Sequence, residues 1–163
     1  MYRQCVSEKG AAQQKLFEDA LLECMRTRLF EEVSISELCR ITGLSRKTFY
    51  RLYESKADVI YSMIDRTILE KESFIPDPSV KPGGMHNFFA FWLTKRDLLD
   101  MMEKNRISAL IQQQAVIHVL AESPEIVECF CPENTPYRRE MITFYINGLF
   151  SLIWGWHQSG FAR

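Results

Sequence analysis

Apolar residues recur at three- and four-residue intervals along nearly the whole chain, and no run alternates apolar and polar residues between turn signals. The pattern predicts an all-α protein. A first helix over residues 11–29 sets Leu16, Ala20 and Cys24 beside Phe17, Leu21 and Met25, a stripe broad enough to cover neighbouring helices. A short second helix opens at Ser34, with Glu37 as its capping-box partner and Ile35, Leu38 and Cys39 on one face. Ile41 sits on that face's shoulder, and Thr42-Gly43-Leu44 closes the helix, Gly43 supplying a left-handed end. Ser45 then caps a third helix that points Phe49 and Leu52 inward. Ser55, boxed by Asp58, opens a fourth that runs from residue 56 to about 74 with Val59, Ile60, Met63, Ile64 and Ile68 on its apolar side.

The clearest break follows, at Pro76-Asp77-Pro78 and Lys81-Pro82-Gly83-Gly84. Beyond it the pattern predicts an aromatic helix over residues 86–93, a short one bearing Leu98, Leu99, Met101 and Met102, and a third over residues 107–120 ended by Ser123-Pro124. Residues 129–136 read as a loop. A last long helix near residues 137–159 is expected to bury Met141, Phe144, Tyr145, Leu149, Leu152 and Ile153.

Charge changes the picture more than composition does. With 47% hydrophobic and 25% charged residues the chain is an ordinary globular one of net charge −1. That charge is unevenly spread: residues 40–56 carry +4, residues 1–39 carry −2 and residues 57–163 carry −3. The surplus lies on Arg40, Arg46, Lys47, Arg51 and Lys56, around the second and third helices. A short helix with hydroxyl and cationic residues opposite a buried apolar face suits the major groove of DNA. Two short helices joined by a glycine turn also occur in many proteins that never touch DNA, so the charge carries the argument.

Residues 11–68 resemble the N-terminal DNA-binding domain of the TetR family of bacterial transcriptional regulators. The resemblance rests on a long first helix ending before Phe30, on Ser34-Ile35 and Leu38, on Gly43-Leu44-Ser45, on Thr48-Phe49-Tyr50, and on Tyr53 and Ser55-Lys56. Lys47 stands where the family usually has glycine and Tyr53 where it has phenylalanine, which would add a cation to the recognition helix and a hydroxyl near the phosphate backbone. The resemblance implies that Ser34, Tyr50 and Lys56 meet phosphate oxygens, which position a domain without reading sequence. By chemistry, Arg46, Lys47 and Thr48 suit base edges, and Arg51 either role. With the cap Ser45, these eight residues form the expected DNA-binding set.

The expected organisation is a three-helix DNA-binding domain over residues 1–56, a connecting helix at about 56–74, and a helical regulatory and dimerisation bundle over residues 57–163. The family dimerises through two C-terminal helices per subunit. This sequence stops at Arg163, just past Gly160, so the second of those helices is expected to be absent or the chain to be a shortened member. A homodimer is still expected, because one head reads only one half-site and a two-fold pair reads a pseudo-palindrome with heads ~34 Å or a multiple apart. Gly148, Ser151 and Gly155 would let a partner helix approach closely.

Phe88, Phe91, Trp92, Met101, Met102, Tyr145 and Trp154 would suit an apolar pocket for a small effector, although such residues at helical spacing are usually plain core. No phosphate loop, metal triad or nucleophile–base pair is visible, so neither an enzyme nor a metal or cofactor site is expected. His86, His118 and His157 are far apart, and Cys129 and Cys131 alone make a weak thiol or metal pair. Five cysteines without framework spacing, no apolar leader and no spanning segment fit a cytoplasmic protein that avoids membranes. The reading is a DNA-binding regulator, more often repressor than activator. The alternative is a helical interaction module that keeps the fold without binding DNA.

Overall fold

The computed structural model describes residues 7–72, 84–124, 127–128, 131 and 136–162. They form an all-α protein with no strand among them. In chain order the helices are α1 (Glu8–Thr27), a single 3-10 turn (Phe30–Glu32), α2 (Ile35–Thr42), α3 (Arg46–Leu52), α4 (Lys56–Glu72), α5 (Gly84–Leu93), α6 (Arg96–Lys104), α7 (Ser108–Glu122) and α8 (Arg138–Gln158). The expected break at residues 76–84 and most of the expected loop at residues 129–136 lie outside the described residues, as does Cys129.

Two compact units emerge. The first comprises Met1–Arg66 together with Met101–Ile111, and the second Thr67–Asp100 together with Gln112–Arg163. The division therefore falls at Arg66, inside α4 and the expected connecting helix, and returns inside α6 and α7. The N-terminal unit is completed by a downstream segment.

In the first unit, α1 is capped by Ser7, whose side chain accepts from the Gly10 N–H, and it buries Gln14, Phe17, Leu21, Cys24 and Met25 at helical spacing. Leu16 was expected in that stripe, but it lies at the edge and is 48% exposed. α2 starts at Ser34 and ends at Gly43, whose φ of +67° lies in the left-handed region that favours glycine. Ser45 caps α3 by accepting from the Thr48 N–H at 3.1 Å. The core is aromatic. Phe49 and Phe17 meet edge to face at 5.1 Å, and Tyr53 packs 5.4 Å from Phe49 and 6.2 Å from Phe17.

Two predicted capping boxes come out differently. At α4, Asp58 Oδ2 accepts from the N–H groups of Glu54 and Ser55, at 2.9 and 3.0 Å, and the Ser55 hydroxyl accepts from the Asp58 N–H at 3.4 Å. At α2 only half the box forms. Ser34 accepts from the Glu37 N–H at 3.2 Å, but the Glu37 carboxylate turns to Arg28 and accepts two hydrogen bonds of 2.8 and 3.0 Å. A bidentate charged partner displaces a single main-chain donor.

The downstream segment is fastened by side chains. Asn105 Oδ1 accepts from the Phe30 N–H at 2.7 Å, while its amide donates to the carbonyls of Met101 at 2.8 Å and Met25 at 3.3 Å. Lys104 donates to the carbonyl of Arg26. α6 itself closes with Arg106 at φ +55°, and the Arg106 and Ile107 N–H groups return to the carbonyls of Glu103 and Met102.

In the second unit α8 buries Ile142, Ile146, Phe150 and Ile153. This corrects the expected face. Of its six residues only Ile153 is buried; Tyr145 and Leu149 are half-buried and Met141, Phe144 and Leu152 are exposed. Between Glu140 and His157 the helix carries no charge, so both sides look apolar and the pattern cannot choose between them. α8 ends at Gly160, φ +69°, and Phe161 folds back onto Trp156 with ring centroids 4.9 Å apart.

Replacing Asn105 by alanine strands the half-buried N–H of Phe30 and takes a donor from the Met25 carbonyl, while the Met101 carbonyl keeps the main-chain N–H of residue 105, at a cost of about 1–3 kcal/mol. The amide of Phe30 should then exchange with solvent faster than in the parent, as read by hydrogen-exchange mass spectrometry, while peptides from α8 keep their protection.

Candidate nucleic-acid interface

α3 has two sides because Phe49 and Leu52, three residues apart, are both buried. That leaves Arg46, Lys47, Tyr50 and Arg51 exposed, with Thr48 half-buried between them. Arg46 and Lys47 make no side-chain hydrogen bond or ion pair with the described residues, so their charges face water. Arg51 Nη2 donates to Gln13 Oε1 at 2.5 Å, which ties it to α1 without neutralising it. Tyr50 lays its ring edge-on against Phe49 at 5.5 Å and keeps about half of its surface exposed. The Ser45 and Thr48 hydroxyls lie 3.0 Å apart at the leading end of the helix.

Ser34 sits at the equivalent end of α2, exposed, with its oxygen accepting from the main chain and its O–H available to a second partner. Cys39, on the buried side of α2, has its thiol pushed up by burial, partly opposed by the charge of Arg46, and so behaves as an inert core residue.

Two expected contacts turn inward. Lys56 donates to the main-chain carbonyls of Phe30, Glu31 and Val33, the last at 2.6 Å, and lies 4.3 Å from the centre of the Phe30 ring. All three of its N–H donors are used there, and burial lowers its pKa below that of an ordinary lysine. Lys56 therefore holds the turn between α1 and α2, where the resemblance implied a phosphate contact. Tyr53 is buried as well. Its hydroxyl donates to the Gln14 carbonyl at 3.4 Å and lies 3.1 Å from Ser62 Oγ, inside the core, where the expectation put it near a phosphate backbone. The reason is spacing: Tyr53 is four residues past Phe49 and extends the same apolar side.

Of the residues that fasten this surface from behind, the sequence singled out Glu37 alone, and for a different partner. Glu18 is buried on α1, accepts from Ser62 Oγ at 2.6 Å and pairs with Arg66. Arg28 and Glu37, nine positions apart, and Asn105 carry no helical spacing that would reveal them.

The seven expected pocket residues divide between the two units. Met101 and Met102 fold with the first unit. In the second, Trp92 meets Phe88, Phe91 and Phe150 at ring distances of 6.4, 5.6 and 5.9 Å. Trp154 packs 6.0 Å from His157. The indole N–H groups of both tryptophans are buried with no hydrogen-bond partner among the described residues. No helix among the described residues is long and apolar enough to cross a membrane.

No family model and no curated protein matches the chain. Its fold is similar to that of Lin0861 from Listeria innocua, a crystal structure with a TM-score of 0.67 over 96% of this chain and 85% of that one, at 19% identity. The likeness is one of fold.

Two measurements probe the frame of this surface. Lys56→Met removes the side-chain donor from the carbonyls of Phe30, Glu31 and Val33, of which Phe30 keeps the Val33 N–H, and should destabilise the first unit by about 1–3 kcal/mol, seen as a lower Tm. Glu37 has its carboxyl held below the usual value of 4.5 by the hydrogen bonds from Arg28. Its contribution is complete above 4.5 and is lost as pH falls through the lowered value. The denaturation midpoint of Glu37→Gln should therefore trail the parent at neutral pH and converge with it in acid.

Proposed function

We propose that the protein is a sequence-specific DNA-binding transcriptional regulator of the TetR type, acting as a homodimer and as a repressor. One observation carries the reading: α3 buries Phe49 and Leu52 and turns Arg46 and Lys47 to solvent with no carboxylate among the described residues paired with them. A free cationic edge on a short capped helix is what the major groove accepts.

The roles then divide by chemistry. Arg46, Lys47 and Thr48 read base edges. Ser34, Ser45, Tyr50 and Arg51 fix the helix on the backbone, while Lys56 supports the reading surface by holding the preceding turn. Repression follows from occupancy of the operator. A small-molecule effector belongs to the proposal, and the unpartnered indole N–H groups of Trp92 and Trp154 favour one carrying hydrogen-bond acceptors over a purely apolar one. Such an effector must alter operator affinity by the factor by which operator alters its own.

Selection of bound fragments from random DNA, followed by gel-shift titration, tests the reading. A two-fold symmetric consensus is the expected outcome. Replacing Arg46 and Lys47 together by alanine should lower the salt-dependence slope by about 2 per copy, and so by about 4 for the dimer, if both also sense phosphate charge, and should relax base preference at the positions they read. A chain that retards no selected fragment even at low salt does not have this function.

A further inference from the structure

Lys47 and Arg51 stand one turn apart on α3 and start from the same exposed row. Like charges at that spacing repel, and they burden a helix that is already short. Their side chains part company. Lys47 makes no side-chain hydrogen bond with the described residues, whereas Arg51 reaches back to α1, where its Nη2 donates to Gln13 Oε1 at 2.5 Å. No carboxylate among the described residues pairs with Arg51.

The chemistry of that bond is specific. Arginine has donors only, so the Gln13 amide must turn its oxygen toward it. A glutamate in the same place would form a charged fork-to-fork pair and cancel the positive charge. A glutamine takes up one edge of the guanidinium, orients it, and leaves the charge whole and most of its N–H groups unused.

Packing fixes where Gln13 stands. It is half-buried one turn before Phe17, whose ring meets Phe49 edge to face at 5.1 Å. It also directly precedes Gln14, whose carbonyl accepts from the Tyr53 hydroxyl. The contacts that set the rotation of α3 therefore also set Gln13 beside it, on a helix of 20 residues. A polar group held on a regular element is a firmer support than one on a loop.

We propose that Gln13 is a positioning residue: it aims Arg51 at a phosphate oxygen of the DNA backbone, on the α1 side of α3, and leaves the groove to Lys47. The inference rests on the DNA-binding reading and adds to it a residue of α1, outside the cationic segment on which that reading was built. Phosphate is the target because the guanidinium is drawn toward α1, away from the leading end of α3 where Arg46 and Thr48 stand. A planar fork with a free edge matches phosphate oxygens, and such a contact positions the protein without reading sequence. Holding the long side chain in place beforehand removes part of the ordering cost of binding.

The test is gel-shift titration over a range of salt on DNA selected from random fragments, with circular dichroism of each variant. Gln13→Met keeps the size of the side chain and removes its acceptor, so Arg51 keeps its charge and loses its orientation. Affinity should fall by roughly 3- to 10-fold per copy with the salt-dependence slope unchanged. Gln13→Glu keeps an acceptor and neutralises Arg51, so the slope itself should fall by about 1 per copy, as it should in Arg51→Ala. Base preference should stay that of the parent in all three. Combined with Arg51→Ala, both Gln13 substitutions should be silent, whereas a merely structural role would carry its effect into that background. Gln13 is only half-buried, so each variant should keep the helical spectrum, and the two are read independently. If Gln13→Met binds as the parent does, if Gln13→Glu leaves the slope in place, or if either effect persists without Arg51, the proposal is overturned while DNA retarded by the parent keeps the function standing. A parent that retards no selected fragment sinks both.

Discussion

The placement of Phe49 governs the first unit. Its ring is buried between Phe17 of α1 and Tyr53 just past α3, and these contacts fix the rotation of a helix too short to be stable by itself. Turn α3 by one residue and Phe49 surfaces while Arg46 or Lys47 faces the core, where an unpaired charge is prohibitive. Truncating so large a buried ring costs about 3–5 kcal/mol. The exposed cations are thus a by-product of aromatic packing: the core decides which residues are left over, and those are the ones with chemistry to offer.

Behind that packing lies a set of polar contacts that select one arrangement among many similar apolar ones. The buried carboxylate of Glu18, held by Ser62 and Arg66, fixes how α1 and α4 meet. The three carbonyls gathered by Lys56 set the path of the chain into α2, and the Arg28–Glu37 pair sets the angle at which α2 leaves it. An apolar stripe tolerates sliding; a buried charge with one matching partner does not.

Helix boundaries and the inward residues of α2 and α3 were legible because caps and a left-handed glycine have local causes. Ser34, Ser45, Ser55 and Gly43 act over three or four residues, within reach of a reading along the chain. What escaped depends on neighbours distant in sequence. Lys56 and Tyr53 carry polar tips that suit an outward role, yet a tight turn and a hydroxyl on Ser62 claim them. Glu37 abandons its own helix for Arg28. In α8 the failure has another cause: a helix apolar on both sides gives no clue to which side its own unit covers, and the two faces differ only in where bulk and glycine fall.

The stitching of residues 101–111 into the N-terminal unit bears on how the molecule is made. A ribosome delivers α1, α2 and α3 long before Asn105 emerges, and until then the N–H of Phe30 and the carbonyls of Met25 and Arg26 have only water as partner. The nascent first unit is therefore an unfinished one, and its last stitches are set only after the first stretch of the second unit, residues 67–100, has been made. Maturation of the α3 surface is by this arrangement timed to the synthesis of the segment that follows it.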